Sequence, residues 1–345
     1  MSIPMTPRRT EESARQRRGV ACRLLDLSCA ALAGLNRGLG LILNRLQLLR
    51  GVRYWYRPRP DDVFVVSFPK SGTTLMQMML YQLTTSGEMD FPHIDSVSPS
   101  FEPNARHGNP QTLELVPSPR IFKSHLRYEL LPRGARYIYL ARDVRDVAVS
   151  AYYHSRLVGG LDLDLSWYLD RFLAGQTIFG SWFEHLESWW PHRNDADVLF
   201  LRFEEVVADL EGTVRRVAEF CGFEIREEEM PRILERCSLD FMKRHEEKFD
   251  PRLRRVARQR VAFIRDGKAR AGRDILNPAQ KQLLASKLAV LERKLGVSAQ
   301  DPKADLLRPS PRRLSTDCLP SGGHERAGRQ LHRGERRAVA DRSHP

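Results

Sequence analysis

Cysteine is scarce in this chain. Cys22, Cys29, Cys221, Cys237 and Cys318 are scattered over 345 residues. None belongs to a C-x-x-C pair or a His/Cys cluster, which excludes the common zinc spacings, and an odd, dispersed set makes no disulfide framework. The expectation is reduced, mostly buried thiols in a cytoplasmic protein. Long apolar runs are also missing. The most apolar stretch, residues 20–50, is interrupted by Arg23, Asp26, Arg37 and Arg45, whereas a spanning helix wants ~20 predominantly apolar residues. A helix lying on the domain or on a membrane surface fits better, so domain packing and peripheral membrane contact through residues 20–50 are both expected possibilities. The apolar run begins too late and runs too long for a cleavable leader.

The body of the chain lacks net charge of either sign. The whole sequence carries +13, but residues 1–60 hold 12 Lys/Arg against 3 Asp/Glu, and residues 301–345 hold 10 against 6. Residues 61–300 are left with 34 of each sign. A basic nucleic-acid-binding face on the body is therefore not expected, and an anionic substrate would be met by a few focused charges. The organisation read from this is a basic N-terminal extension (1–60), a catalytic body (61–300) and a Pro/Arg/Ser/Gly-rich tail (301–345) with the composition of disorder. There is no internal repeat.

Within the body, apolar runs that suit buried strands alternate with helical patterns. Strands are expected near 63–67, 120–123, 136–141 and 197–201. Helices are expected over 73–85, 143–156, 166–173, 180–190, 204–221, 226–236 and 278–295. Residues 86–119, rich in Pro, Ser, Asn and Gly, read as a long loop. This alternation implies an α/β fold with a central parallel β-sheet flanked by helices.

The most informative stretch is Val63-Phe64-Val65-Val66-Ser67-Phe68-Pro69-Lys70-Ser71-Gly72-Thr73-Thr74. It reads as a buried strand, a tight loop and a helix start, where free N–H groups and the positive dipole end favour a phosphate-like anion. It is not the Walker loop, in which the lysine follows the second glycine. Here Lys70 precedes the glycine by two positions. Ile121-Phe122-Lys123-Ser124-His125 ends a second strand. Alternation puts Lys123 and His125 on one side, where the lysine keeps the histidine a neutral base. In Tyr139-Leu140-Ala141-Arg142-Asp143-Val144-Arg145-Asp146-Val147-Ala148-Val149-Ser150, Arg142 stands at a strand-to-helix transition, suited either to an anion or to pairing with an aspartate.

Taken together and in this order, FPKSGTT, IFKSHL and YLARDVRDVAVSAYYH resemble the cytosolic-type, 3′-phosphoadenylyl sulfate (PAPS)-dependent sulfotransferase family. The similarity continues through Phe172–Trp190, Val198–Gly222, Cys237–Lys243 and Phe263–Gly272, covering roughly residues 55–295. The resemblance implies a P-loop-like sulfotransferase fold. It implies transfer of a sulfuryl group from PAPS to a hydroxyl or amine of a small molecule, in line and without a metal. By position, Lys70, Ser71, Gly72, Thr73 and Thr74 would hold the 5′-phosphosulfate, with Lys70 also stabilising the leaving oxygen. His125 would be the base, and Lys123 would steady the sulfuryl oxygens. Arg142, Ser150, Arg265 and Gly267 would bind the 3′-phosphate, with Phe203 and Ser238 also on the nucleotide.

The sequence departs from the family pattern mainly around the nucleotide. Leu75 stands where tryptophan stacks on adenine, Phe203 replaces a tyrosine, Cys237 a threonine and Asp266 a basic residue. Two other readings therefore stay open at this point: a non-catalytic or weakened nucleotide-binding member of the fold, and a P-loop kinase-like phosphotransferase.

Overall fold

The computed structural model describes residues 56–85, 89–106, 113–159, 163–177, 179–250 and 275–297, together with Leu307 and a few positions between 43 and 52. Most of the 20–50 stretch, Arg265, Asp266 and Gly267, and nearly all of the 301–345 segment lie outside them. Among the described residues, no helix is long and apolar enough to cross a membrane.

Four strands form one parallel sheet: β1 (Val63–Ser67), β2 (Ile121–Ser124), β3 (Arg136–Ala141) and β4 (Val198–Arg202), in the order β2-β1-β3-β4. All five residues of β1 are buried. That is why it reads as an unbroken apolar run rather than an alternation: a central parallel strand is covered on both faces. Val65 lies opposite Lys123 on one side and Ile138 on the other. The chain leaves β1 for one edge and then crosses to β1's other side for β3. The carboxyl ends of β1 and β3 therefore border the crevice where open α/β sheets take their ligands.

The register brings the four strand ends level. Lys70 follows the last residue of β1 by three positions, while His125, Arg142 and Phe203 immediately follow β2, β3 and β4. Each candidate group thus arrives at the same edge of the sheet on a different strand.

The helices are α1 (Thr73–Thr84), α2 (Phe101–Arg106), α3 (Val144–Gly159), α4 (Leu165–Leu173), α5 (Trp182–Trp189), α6 (Phe203–Ala208), α7 (Leu210–Cys221), α8 (Met230–Arg236), α9 (Leu239–Arg244) and α10 (Pro278–Lys294). Side-chain alternation divides the core into two. Val63, Val65, Ile121, Ile138 and Leu140 pack with Met76, Met79 and Leu80 of α1 and Val214 and Val217 of α7. Phe64, Val66, Phe122, Tyr137 and Tyr139 face the other way, against Phe101, Trp189 and Trp190. There Tyr139 stacks on Trp189 at 5.0 Å and Phe64 on Tyr137 at 5.8 Å. Burying each such side chain stabilises the fold by roughly 1.5–3 kcal/mol. The tryptophans at 182, 189 and 190 are all buried, as helix positions packed toward the sheet should be.

Two local expectations need correction. Residues 86–119 are not loop throughout: a 3₁₀ turn spans Ile94–Ser96, and α2 begins at Phe101 despite Pro103. Proline is tolerated in a first helical turn, where its missing N–H has no intrahelical acceptor in any case. The helix expected over 204–221 is two helices, α6 and α7, parted at Asp209. The Asp209 carboxylate accepts the Gly212 N–H at 2.8 Å and restarts the helix.

At the far end of the sheet from the candidate groups, Arg120 is fully buried and forks onto Asp62, with Nε at 2.7 Å and Nη2 at 2.6 Å. The Tyr56 hydroxyl donates to the same carboxylate at 2.5 Å. This pair ties the start of β1 to the start of β2.

Candidate active site

The loop after β1 is bent by two left-handed residues, Lys70 at φ 75° and Gly72 at φ 102°. Glycine adopts this freely, but lysine does so at a cost of about 1–2 kcal/mol. Two contacts hold the bend. Arg142 Nη1 donates to the Lys70 carbonyl at 3.0 Å. Phe203 lies so close over Gly72 that a Cβ there would stand 2.4 Å from its Cδ2. The Arg142 guanidinium in turn sits 4.4 Å above the Phe203 ring. Arg142, Phe203 and the loop thus form one packed unit delivered by β1, β3 and β4.

Inside the bend, Ser71 is almost fully buried, and its hydroxyl has no hydrogen-bond partner among the described residues. α1 starts at Thr73 with no side-chain cap, so its first N–H groups have no intrahelical acceptor. A curved backbone, an unsatisfied hydroxyl, uncapped helix N–H groups and Lys70 suit an anion carrying several oxygens, as the 5′-phosphosulfate does. Leu75 is half-buried and packs against the α1-side core.

His125 bridges the ends of β1 and β2. Its Nδ1–H donates to the Ser67 carbonyl at 2.8 Å. A carbonyl can only accept, so the neutral ring keeps its lone pair on Nε2. The His125 pKa is lowered chiefly by burial, with Lys123 and Lys70 adding to the push and Glu102 and the Ser67 bond opposing it. A histidine in that state is a neutral base at physiological pH. The same lysines, after burial, help hold His154 of α3 down to about 3. Lys70, Lys123, His125 and His154 therefore share one electrostatic neighbourhood.

Several groups around His125 carry no local sequence signal. The Glu102 carboxylate receives the Ser124 hydroxyl at 2.8 Å and the His125 main-chain N–H. Asp95 pairs with Lys123 at 3.4 Å. Phe179 sets its ring edge-on to His125 at 6.3 Å and is 40% exposed. Below, His185 is buried, bonded to the Tyr139 hydroxyl at 3.1 Å and held near 3 by burial. Glu102, Asp95 and Phe179 sit in the segments 86–119 and 163–180, and only the fold carries them to β2.

Other expected residues have less to show. Ser150 is half-buried on α3. Ser238 caps α9, accepting the Phe241 N–H at 3.2 Å. Arg145 pairs with Asp143, which accepts the Arg145 N–H at 2.9 Å at the start of α3. Phe91, Phe101, Tyr152 and Tyr168 are buried, whereas Trp167 is half exposed. Cys221 and Cys237 are buried free thiols. Among the described residues, no group of three or more His, Cys, Asp or Glu side chains is placed to hold a metal ion.

The family model of the sulfotransferase domain matches residues 60–288. Sulfotransferase 1B1 of Mus musculus is 35% identical over 202 residues, 54% of this chain and 67% of the mouse protein. Luciferin sulfotransferase of Photinus pyralis is 30% identical over 260 residues, 65% of this chain and 70% of that protein. Among solved structures, mouse sulfotransferase SULT7A1 complexed with PAP is 25% identical with a TM-score of 0.59, over 76% of this chain and 91% of that one. Retinol dehydratase in complex with androsterone and PAP has a TM-score of 0.64 at 24% identity, over 74% of this chain and 87% of that one, a likeness of fold. With the matched region running from the first strand into α10 and holding the loop after β1 and the strand-end groups, the chain belongs to the sulfotransferase domain family.

Proposed function

We propose that this sulfotransferase moves the sulfuryl group of PAPS to a hydroxyl or amine of a small-molecule acceptor, with His125 as the base. The observation that carries the reading is the convergence of Lys70, His125, Arg142 and Phe203 on one edge of the sheet, with the His125 ring fixed in a basic tautomer.

PAPS supplies an activated sulfuryl group on a phosphate leaving group. The remaining work belongs to the chain. Lys70 and the Ser71–Thr74 loop hold the phosphosulfate, and Lys70 stabilises charge on the oxygen that leaves with the nucleotide. Lys123 steadies the sulfuryl oxygens. His125 Nε2 takes the acceptor's proton as the acceptor oxygen or nitrogen bonds to sulfur and the old S–O bond breaks. Arg142, Ser150 and Ser238, with Arg265 and Gly267 from the 251–274 segment, hold the nucleotide, and Phe203 packs beneath it. Catalysis of this kind is mostly positioning and charge stabilisation. Residues 61–300 form the catalytic body of this cytoplasmic enzyme.

Incubation with labelled PAPS and a panel of phenols, sterols, lipid alcohols and amines tests the reading, with a parallel titration by adenosine 3′,5′-bisphosphate. Transfer that persists in a metal chelator is expected, which a magnesium-dependent kinase would not give. Binding without transfer would identify a non-catalytic member. Absence of both binding and transfer would overturn the proposal.

A further inference from the structure

Histidine bases need their rings aimed, and the structure holds His125 from two sides. On one side is the Ser67 carbonyl, at the ring. On the other is α2, at the main chain. Phe101 anchors that helix in the aromatic core, fully buried, with edge-on contacts to Tyr56 at 5.0 Å and Phe64 at 5.1 Å. The residues just before it run alongside β2: the Lys123 N–H donates to the Pro99 carbonyl at 3.0 Å, and Ser100 bridges to Lys123. So fixed, Glu102 takes both the Ser124 hydroxyl and the His125 N–H on one carboxylate oxygen, Oε1.

We propose that Glu102 is the positioning residue for His125: its carboxylate clamps the Ser124–His125 main chain so that the ring keeps its Ser67 bond and offers Nε2 to the acceptor. The inference rests on His125 being the base. An amide could accept the same two hydrogen bonds, so the negative charge has a further role. The charged and titratable groups around His125 are Lys123 on β2, Lys70 in the loop after β1, His154 on α3 and His185 on α5. When His125 gains a proton, a new cation forms beside two ammonium groups. Glu102 supplies the opposing charge and raises the His125 pKa against burial and the lysines.

The test compares Glu102→Gln, Glu102→Ala and His125→Ala with the native enzyme. Each is checked by thermal melt and by calorimetry with adenosine 3′,5′-bisphosphate, and then by kcat, donor KM and the pH profile of kcat/KM. Glu102→Gln keeps an accepting oxygen and loses the charge, so most of kcat should survive while the acid limb moves to lower pH. Glu102→Ala should lose kcat by about ten- to a hundredfold, the scale of a misplaced reacting group, with donor KM within about twofold. A merely structural glutamate would not move the acid limb. Should the alanine variant fail to fold, the glutamine variant decides. An acid limb unmoved in Glu102→Gln, with His125→Ala inactive, overturns the positioning role alone. Full turnover in His125→Ala removes the base itself, and the inference with it.

Discussion

Lys123 Nζ lies 3.4 Å from Asp95 Oδ1, so the lysine proposed to steady the sulfuryl oxygens starts with an anion already beside it. Both side chains are about one-fifth exposed. An anionic donor must compete with this carboxylate for the ammonium charge. Asp95→Asn should therefore lower donor KM by ~2–5-fold, the range of a partly exposed ion pair. Initial-rate kinetics with PAPS varied would show it, and an unchanged or raised KM would mean that the pair orients the lysine instead.

Lys70→Ala and His125→Ala should each abolish measurable turnover. His125→Ala should still bind adenosine 3′,5′-bisphosphate, because among the described residues the ring bonds the Ser67 carbonyl rather than the Lys70–Thr74 loop. The acid limb of the native profile should lie below the ordinary histidine value near 6.5, because burial and the two lysines lower the His125 pKa. Removing a positive neighbour raises that pKa, so Lys123→Met should move the limb to higher pH as well as reduce kcat. A limb that stays put would separate Lys123 from the base.

Gly72→Ala should destabilise the domain and weaken nucleotide binding together. The left-handed backbone alone costs a non-glycine residue about 1–2 kcal/mol, and the new Cβ would stand 2.4 Å from the Phe203 ring. Thermal melts should register a fall of several degrees. In a Phe203→Ala background the clash goes but the backbone strain stays, so the loss should be smaller and not zero. Additive losses in the double variant would contradict the packing.

Stability should fall as pH drops from about 6.5 toward 3. His185 and His154 are held near 3 in the fold, first by burial, whereas in the unfolded chain they titrate near ~6.5. Between those values the unfolded chain binds protons that the native state does not. Stability present above the unfolded pKa is therefore lost on acidification, by up to about 1.4 kcal/mol per pH unit for each histidine. Denaturant melts across this range should show the decline, with a shallower slope in a folded His185→Gln variant.

How much the sequence disclosed depended on how local each feature is. The apolar run of β1, the six residues of β3 and the helical pattern of α10 are written in adjacent side chains. They form where local pattern places them. The same holds for the anion loop, because glycine, lysine and hydroxyls at a helix start carry their chemistry wherever the helix goes. A local cue with two uses does not decide the structure. Pro103 lies in a Pro-rich stretch yet sits in a first helical turn, and Asp209 lies within a helical pattern yet its carboxylate restarts a helix.

The amino-acid sequence by itself determined the four strand segments, the sulfotransferase motifs and the chemical types of Lys70, Lys123, His125 and Arg142. The tertiary structure alone decided what those groups face. Glu102 lies 23 residues before His125 in the chain and Asp95 lies 28 before Lys123, yet each meets its partner because the 93–106 segment packs along β2. Arg142 and Phe203 close over the loop after β1 because β3 and β4 end level with β1. A side chain's type is fixed by its codon, but its charge state and aim are set by neighbours that burial selects, and those neighbours come from anywhere in the chain.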